Sequence, residues 1–138
     1  MDYECDLRFA DQLHKEFFLE QSEKLKPDIY LSSLIYTLGI CCDTRRNFNS
    51  VYDRNKRGII PEAIKKTWQT GSSLKVTRLA FQLFTGSTPT AFSINRYGAV
   101  DECRRYSVSE IFCCGYAPYF VKAIQLRYPE YLRKQNSC

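Results

Sequence analysis

After Asp28 the chain runs IYLSSLIYTLGICC to Cys42 without one charged side chain. At helical spacing Leu31, Leu34, Ile35, Leu38 and Cys41 or Cys42 leave little of the circumference polar. A helix that is apolar nearly all round is stable only when other elements surround it. This segment is therefore expected to be the central buried helix, with Gly39 weakening it modestly. Whatever precedes and follows must supply its wrapping.

The preceding stretch, about Leu7 to Leu25, is amphipathic. Ala10, Leu13, Phe17 and Phe18 recur with helical period, and His14 beside Leu13 is expected on the exposed side. Lys26–Pro27–Asp28 ends it, because proline removes a donor and restricts the residue before it. Downstream, Asp43 or Thr44 is placed to cap a short helix through Phe48, Val51 and Tyr52. Asp53–Gly58 (DRNKRG) reads as a turn with Gly58 at a left-handed closing position. Pro61 opens a helix to Gln69 in which Ile64 and Trp68 share a face. Another helix starts at Ser72 or Ser73 and runs to Phe84, with Val76, Leu79, Ala80 and Leu83 inward. Thr85–Thr90 is a loop. Ser107-x-x-Glu110 is a capping box, Gly115 ends the helix it starts, and Pro118 opens the last one before the break at Pro129.

Residues 91–105 have no clean period and fit either a two-stranded ribbon around Tyr97–Gly98 or an irregular functional loop. The fold class expected is all-α or mainly α: a compact irregular bundle of six or seven short helices, with at most one small β-ribbon near residues 91–105. The whole chain, 1–138, is read as a single domain in which an acidic first helix packs on a basic helical middle. Its 20 aromatic residues supply that core without a metal or disulfide.

Seven cysteines, an odd number with two adjacent pairs, read as reduced thiols, and the internal five as small buried hydrophobes. No Cys-x-x-Cys knuckle is present, so no zinc site is expected, although convergence of Cys42, Cys103 and Cys114 is left open. The first residues are acidic and lack a signal-peptide layout. No apolar run reaches the roughly 18 residues of a membrane span. A cytoplasmic protein with no membrane contact is expected.

Catalysis finds little support. His14 is the single histidine, and HExxH, GxSxG and dinucleotide-binding patterns are missing. Adjacent Asp101 and Glu102 are a weak ligand pair, and Cys103 beside Arg104 and Arg105 lacks a local base. The expectation is no enzyme, no catalytic residue, no metal and no cofactor.

One anion site suggests itself at the start of the helix after Gln69. There Gly71 lets a ligand approach free amides, Ser72 and Ser73 add hydroxyls, Lys75 and Arg78 add charge, and Trp68 offers a ring. This is not a P-loop, since the GxxxxGK[ST] spacing is absent. A basic patch comprises Arg45, Arg46, Arg54, Lys56, Arg57, Lys65 and Lys66. Together the two features suit a nucleotide, a signalling molecule or single-stranded nucleic acid.

Thr67–Gly86 (TWQTGSSLKVTRLAFQLFTG), Tyr106–Phe112 (YSVSEIF) and Arg127–Leu132 (RYPEYL) resemble a family of small uncharacterised proteins of Firmicutes and their phages, over about residues 28–132. The resemblance implies a bacterial or phage cytosolic setting and transfers no catalytic residue. The leading expectation is a non-catalytic module, a phage or mobile-element accessory that binds and occludes a host protein such as a defence component. Tyr97, Tyr106, Tyr116, Tyr119, Tyr128 and Tyr131 are its candidate contacts, because tyrosine is enriched at interfaces. The alternative is phosphate-anchored binding around Gly71–Arg78.

Overall fold

In the computed structural model, which describes residues 7–132, the uncharged segment is helix α2 (Ile29–Gly39). Asp28 caps it, accepting from the Leu31 backbone N–H at 2.9 Å. Leu34, Ile35, Tyr36 and Leu38 are fully buried, and helices α1 (Gln12–Leu25), α5 (Gly71–Thr85) and α8 (Ala117–Arg127) pack around them. Burial of such side chains contributes roughly 1.5–3 kcal/mol each. The buried hydroxyls of Ser33 and Thr37 bond back to the Tyr30 and Ser33 carbonyls, so no polar group is orphaned there.

The buried line of α1 is His14, Phe17, Phe18 and Gln21, while Leu13 is 58% exposed. The expectation for Leu13 and His14 is thus reversed. The bulky pair Phe17–Phe18 sets the inward direction, and three to four residues earlier that direction falls on position 14. The imidazole takes it because both ring nitrogens find partners. Gly39 is the complementary device on α2, where a Cβ would stand 2.8 Å from both His14 Cδ2 and Phe17 Cδ1. Glycine here permits close approach of the two helices.

Two short helices follow, α3 (Cys42–Arg46) and α4 (Phe48–Val51). Neither Asp43 nor Thr44 caps them. Both lie inside α3, and the buried Thr44 hydroxyl bonds the Leu38 and Cys41 carbonyls. A two-stranded antiparallel ribbon then pairs β1 (Tyr52–Asp53) with β2 (Gly58–Ile59), Tyr52 opposite Ile59. The turn between them is as expected, but the left-handed residue is Arg57 (φ 55°) and not Gly58. The expected helix from Pro61 shortens to a 3-10 helix, Pro61–Lys65. Helix α5 starts one residue before Ser72, capped by Thr70 in a reciprocal box with Ser73, and closes at left-handed Gly86 (φ 72°).

A second 3-10 helix (Pro89–Ala91) leads to α6 (Arg96–Arg104), capped by Asn95. The ribbon expected near residues 91–105 is therefore absent from that stretch, which is mainly helical. Its apolar residues Tyr97 and Val100 face outward, and what holds the inner face is a charge, Glu102. Ser107 caps α7 (Val108–Phe112) as expected, and α9 (Pro129–Leu132) ends the described chain.

Candidate anion-binding pocket

The residues expected to hold an anion at the start of α5 are pulled in different directions. Gly71 and Ser72 are exposed, but Ser73 is buried and occupied by capping. The Lys75 ammonium donates to the Glu110 carbonyl on α7. Trp68 is half-buried against the core, with its indole N–H buried and lacking a hydrogen-bond partner.

Arg78 is buried and paired with Glu102 of α6. Its Nε donates to Oε2 at 3.0 Å and its Nη2 to Oε1 at 2.9 Å. Thr90 donates to the same carboxylate, so the Tyr106 hydroxyl, 2.6 Å away, donates to Thr90. Burial raises the Tyr106 phenol pKa, and the Thr90 hydrogen bond partly offsets that. This chain of donors satisfies a buried ion pair and fastens α6 to α5. It has a structural part to play, with no free donor left on Arg78's Nε for a ligand.

Cations converge elsewhere, where the end of α1, the start of α2, the β-ribbon and the end of α5 surround a pocket of about 530 Å³. Lys24, Lys26, Arg54 and Arg57 line it, against one carboxylate, Asp28. Local structure explains their placing. Lys26 takes the left-handed C-cap of α1 (φ 45°), turning the chain at Pro27 into α2. The left-handed Arg57 closes the ribbon turn, whose Asn55 and Lys56 amides donate to Asp53. Arg54 is steadied by an Nη2 bond to Gln21 Oε1 at 3.1 Å.

Lys24 pairs with Glu20 at 2.9 Å on the exposed side of α1, whereas Lys26, Arg54 and Arg57 enter no ion pair among the described residues. The remaining wall is apolar, formed by Leu25, Pro27, Leu31 and Phe84, with Tyr52 beside them. The Tyr52 phenol is raised by burial, lowered by Arg57 and raised by Asp28, which puts both charges within electrostatic reach of it. The positive N-terminus of α2 opens on the same space, already partly compensated by Asp28.

Of the expected basic patch, only Arg54 and Arg57 line this pocket. Arg45 turns away to the Gly39 carbonyl at 2.7 Å, and Arg46, Lys56, Lys65 and Lys66 are outward. Sequence reasoning passed over Lys24 and Lys26. The available signal was two lysines flanking a helix end next to Pro27, which must turn the chain and bring them together.

His14 is unavailable for proton transfer. Its Nδ1 accepts from the Ala10 N–H at 3.0 Å, so Nε2 carries the proton donated to the Tyr36 carbonyl at 2.8 Å. Burial lowers its pKa to about 4. Cys41 is buried as expected and Cys114 half-buried, but Cys42, Cys103 and Cys113 are exposed. Cys42 on α3 and Cys103 on α6 lie off the packed faces, and Cys113 follows the last residue of α7. Among the described residues no group of three or more His, Cys, Asp or Glu side chains is placed to hold a metal ion. Among them, too, no helix is long and apolar enough to cross a membrane. Of the six tyrosines singled out, Tyr97 and Tyr131 are exposed, Tyr106 is buried, and Tyr116, Tyr119 and Tyr128 are half-buried against the core.

No curated protein and no solved structure matches the chain. A family model does, across nearly its whole length, beyond the 28–132 covered by the resemblance. The chain belongs to the family described as a family of unknown function (DUF6075), which it matches over residues 4–138.

Proposed function

We propose that this chain is a non-catalytic binding module that takes a phosphate-bearing ligand in the pocket between α1, α2 and the β-ribbon, in a bacterial or phage cytosol. The observation that carries the reading is the gathering of Lys26, Arg54 and Arg57, outside every ion pair among the described residues, around one cavity. Guanidinium groups in that setting form charge-assisted, bidentate bonds to phosphate oxygens. The α5 N-terminus is a poorer anchor because Ser73, Lys75 and Arg78 all have intramolecular partners.

Titration calorimetry with pyrophosphate tests this. Arg54→Ala/Arg57→Ala is expected to lower affinity at least tenfold, and Lys75→Ala to leave it within twofold. Equal weakening by Lys75→Ala, or binding untouched by the double change, overturns the assignment.

A second reading, occlusion of a host protein, is favoured by Phe92, Tyr97 and Val100, which are 80%, 87% and 50% exposed beside or on α6. Large exposed apolar side chains of this type are common at protein contacts. On that reading, a Phe92→Ser/Tyr97→Ser variant fails to retain a protein that the unaltered chain captures from its native cytosol. Retention unchanged by both substitutions removes this face from consideration.

A further inference from the structure

We infer that the basic pocket is built for a nucleoside mono- or diphosphate, a short phosphate chain joined through a sugar to a flat base ring with apolar faces and hydrogen-bond donors at its edge; the inference rests on the anion-binding reading above. The cavity, about 530 Å³, falls in the usual range of small-molecule sites, roughly 300–1,000 Å³. A bare inorganic anion would use only its basic side. Leu25, Pro27, Leu31 and Phe84 would then line space with nothing apolar to cover. A ring placed there removes apolar surface from water, and Phe84, half-buried and standing edge-on to Tyr52 at 6.0 Å, presents an aromatic neighbour.

Charge limits the phosphate chain to one or two groups. Lys26, Arg54 and Arg57 against Asp28 leave an excess of about two positive charges, near that of one phosphate group, and Lys24 adds only what Glu20 leaves of its charge. Lys24, already shared with Glu20, serves as an outer contact.

Asp28 supplies direction. One carboxylate oxygen, Oδ1, accepts from the Leu31 amide and holds the side chain in place, and Oδ2 has no hydrogen bond among the described residues. Beside a phosphate this carboxylate repels. Beside a ribose hydroxyl or a base amine it accepts a hydrogen bond, so it orients the ligand with phosphates toward the arginines and donors toward the start of α2.

The chemistry is shared by a free nucleotide and by the phosphorylated 5′ end of a strand, and one calorimetric series separates them. The full chain is titrated with pyrophosphate, with each common nucleoside diphosphate, and with a short single-stranded oligonucleotide bearing a 5′ diphosphate. At least one nucleoside diphosphate is expected to bind ten times or more tighter than pyrophosphate. Asp28→Asn, which retains the capping oxygen, should tighten pyrophosphate binding and shrink that ratio to below threefold.

A tighter oligonucleotide than free nucleotide supports the shared chemistry and assigns it to a strand end, and the reverse order supports it and assigns a free nucleotide. Pyrophosphate binding that depends on Arg54 and Arg57, with no nucleoside diphosphate better by threefold, overturns the nucleotide inference and leaves the anion reading standing. Binding of none of these probes overturns both. Far-ultraviolet dichroism of each variant confirms that the exposed substitutions leave the fold intact.

Discussion

His14 of α1 donates from Nε2 to the backbone carbonyl of Tyr36 on α2, 2.8 Å away, while its other ring nitrogen accepts from Ala10. The imidazole is completely buried, and both bonds require it neutral. Protonation would force two N–H groups to face one acceptor and one donor.

This predicts a pH-dependent stability. The folded pKa lies at about 4, below the ordinary 6.5, so the unfolded chain binds the proton more readily. The contribution is fully present above about pH 6.5 and is lost progressively as pH falls toward 4, about 3 kcal/mol in all. Urea denaturation at pH 7 and pH 4.5, compared between the unaltered chain and His14→Gln, should show the difference between the two proteins narrowing at the lower pH. A constant difference would contradict the neutral buried imidazole.

At Gly39, alanine gains up to about 1 kcal/mol in helix propensity but inserts a methyl into His14 and Phe17. Overpacking costs about 1–3 kcal/mol. Gly39→Ala is therefore expected to destabilise by up to about 2 kcal/mol, read as a lower urea midpoint. An increase in stability would mean that α1 moves away freely.

Removing one partner of the Arg78–Glu102 pair leaves a buried charge alone, a loss of about 3–5 kcal/mol for Arg78→Ala. Arg78→Met/Glu102→Leu should recover much of it, because no uncompensated charge remains. Thermal or urea unfolding of the single and double variants reads this directly, and equal losses in both would show that the pair itself carries the stability.

Arg127 has its guanidinium carbon 3.9 Å from the Tyr30 ring centroid and 4.4 Å from that of Tyr128, and its Nε donates to the Leu83 carbonyl at 2.8 Å. Three helices, α2, α5 and α8, meet on this one side chain. Lysine retains the charge and loses the planar stack and the Nε donor, so Arg127→Lys should destabilise by about 1–2 kcal/mol. A change within 0.5 kcal/mol, about the effect of an ordinary surface substitution, would count against the stack.

Helix α2 was legible because its apolar residues surround it, and the start of α7 was legible from Ser107. Helix α6 was not, since its apolar residues point outward and its inner face is anchored by Glu102 instead. The ribbon was misplaced for a different reason. Strands of two residues, Tyr52–Asp53 and Gly58–Ile59, are too short for alternation to register. Of the candidate pocket, Arg54 and Arg57 stood out as a basic run, but Lys24 and Lys26 lie in another segment with an unremarkable spacing.

Local order was thus set by the amino acids in succession: where helices start, where they stop, and which one must be wrapped. The partners of the polar side chains were decided only in three dimensions. His14 meets Tyr36 across 22 positions and Arg78 meets Glu102 across 24. Periodicity reports which face of an element is greasy, but a buried imidazole or ion pair is tolerable only when a complementary group arrives from another element. The same holds for the cations of the pocket, which become one site through the turn at Lys26–Pro27 and the closure of the ribbon at Arg57.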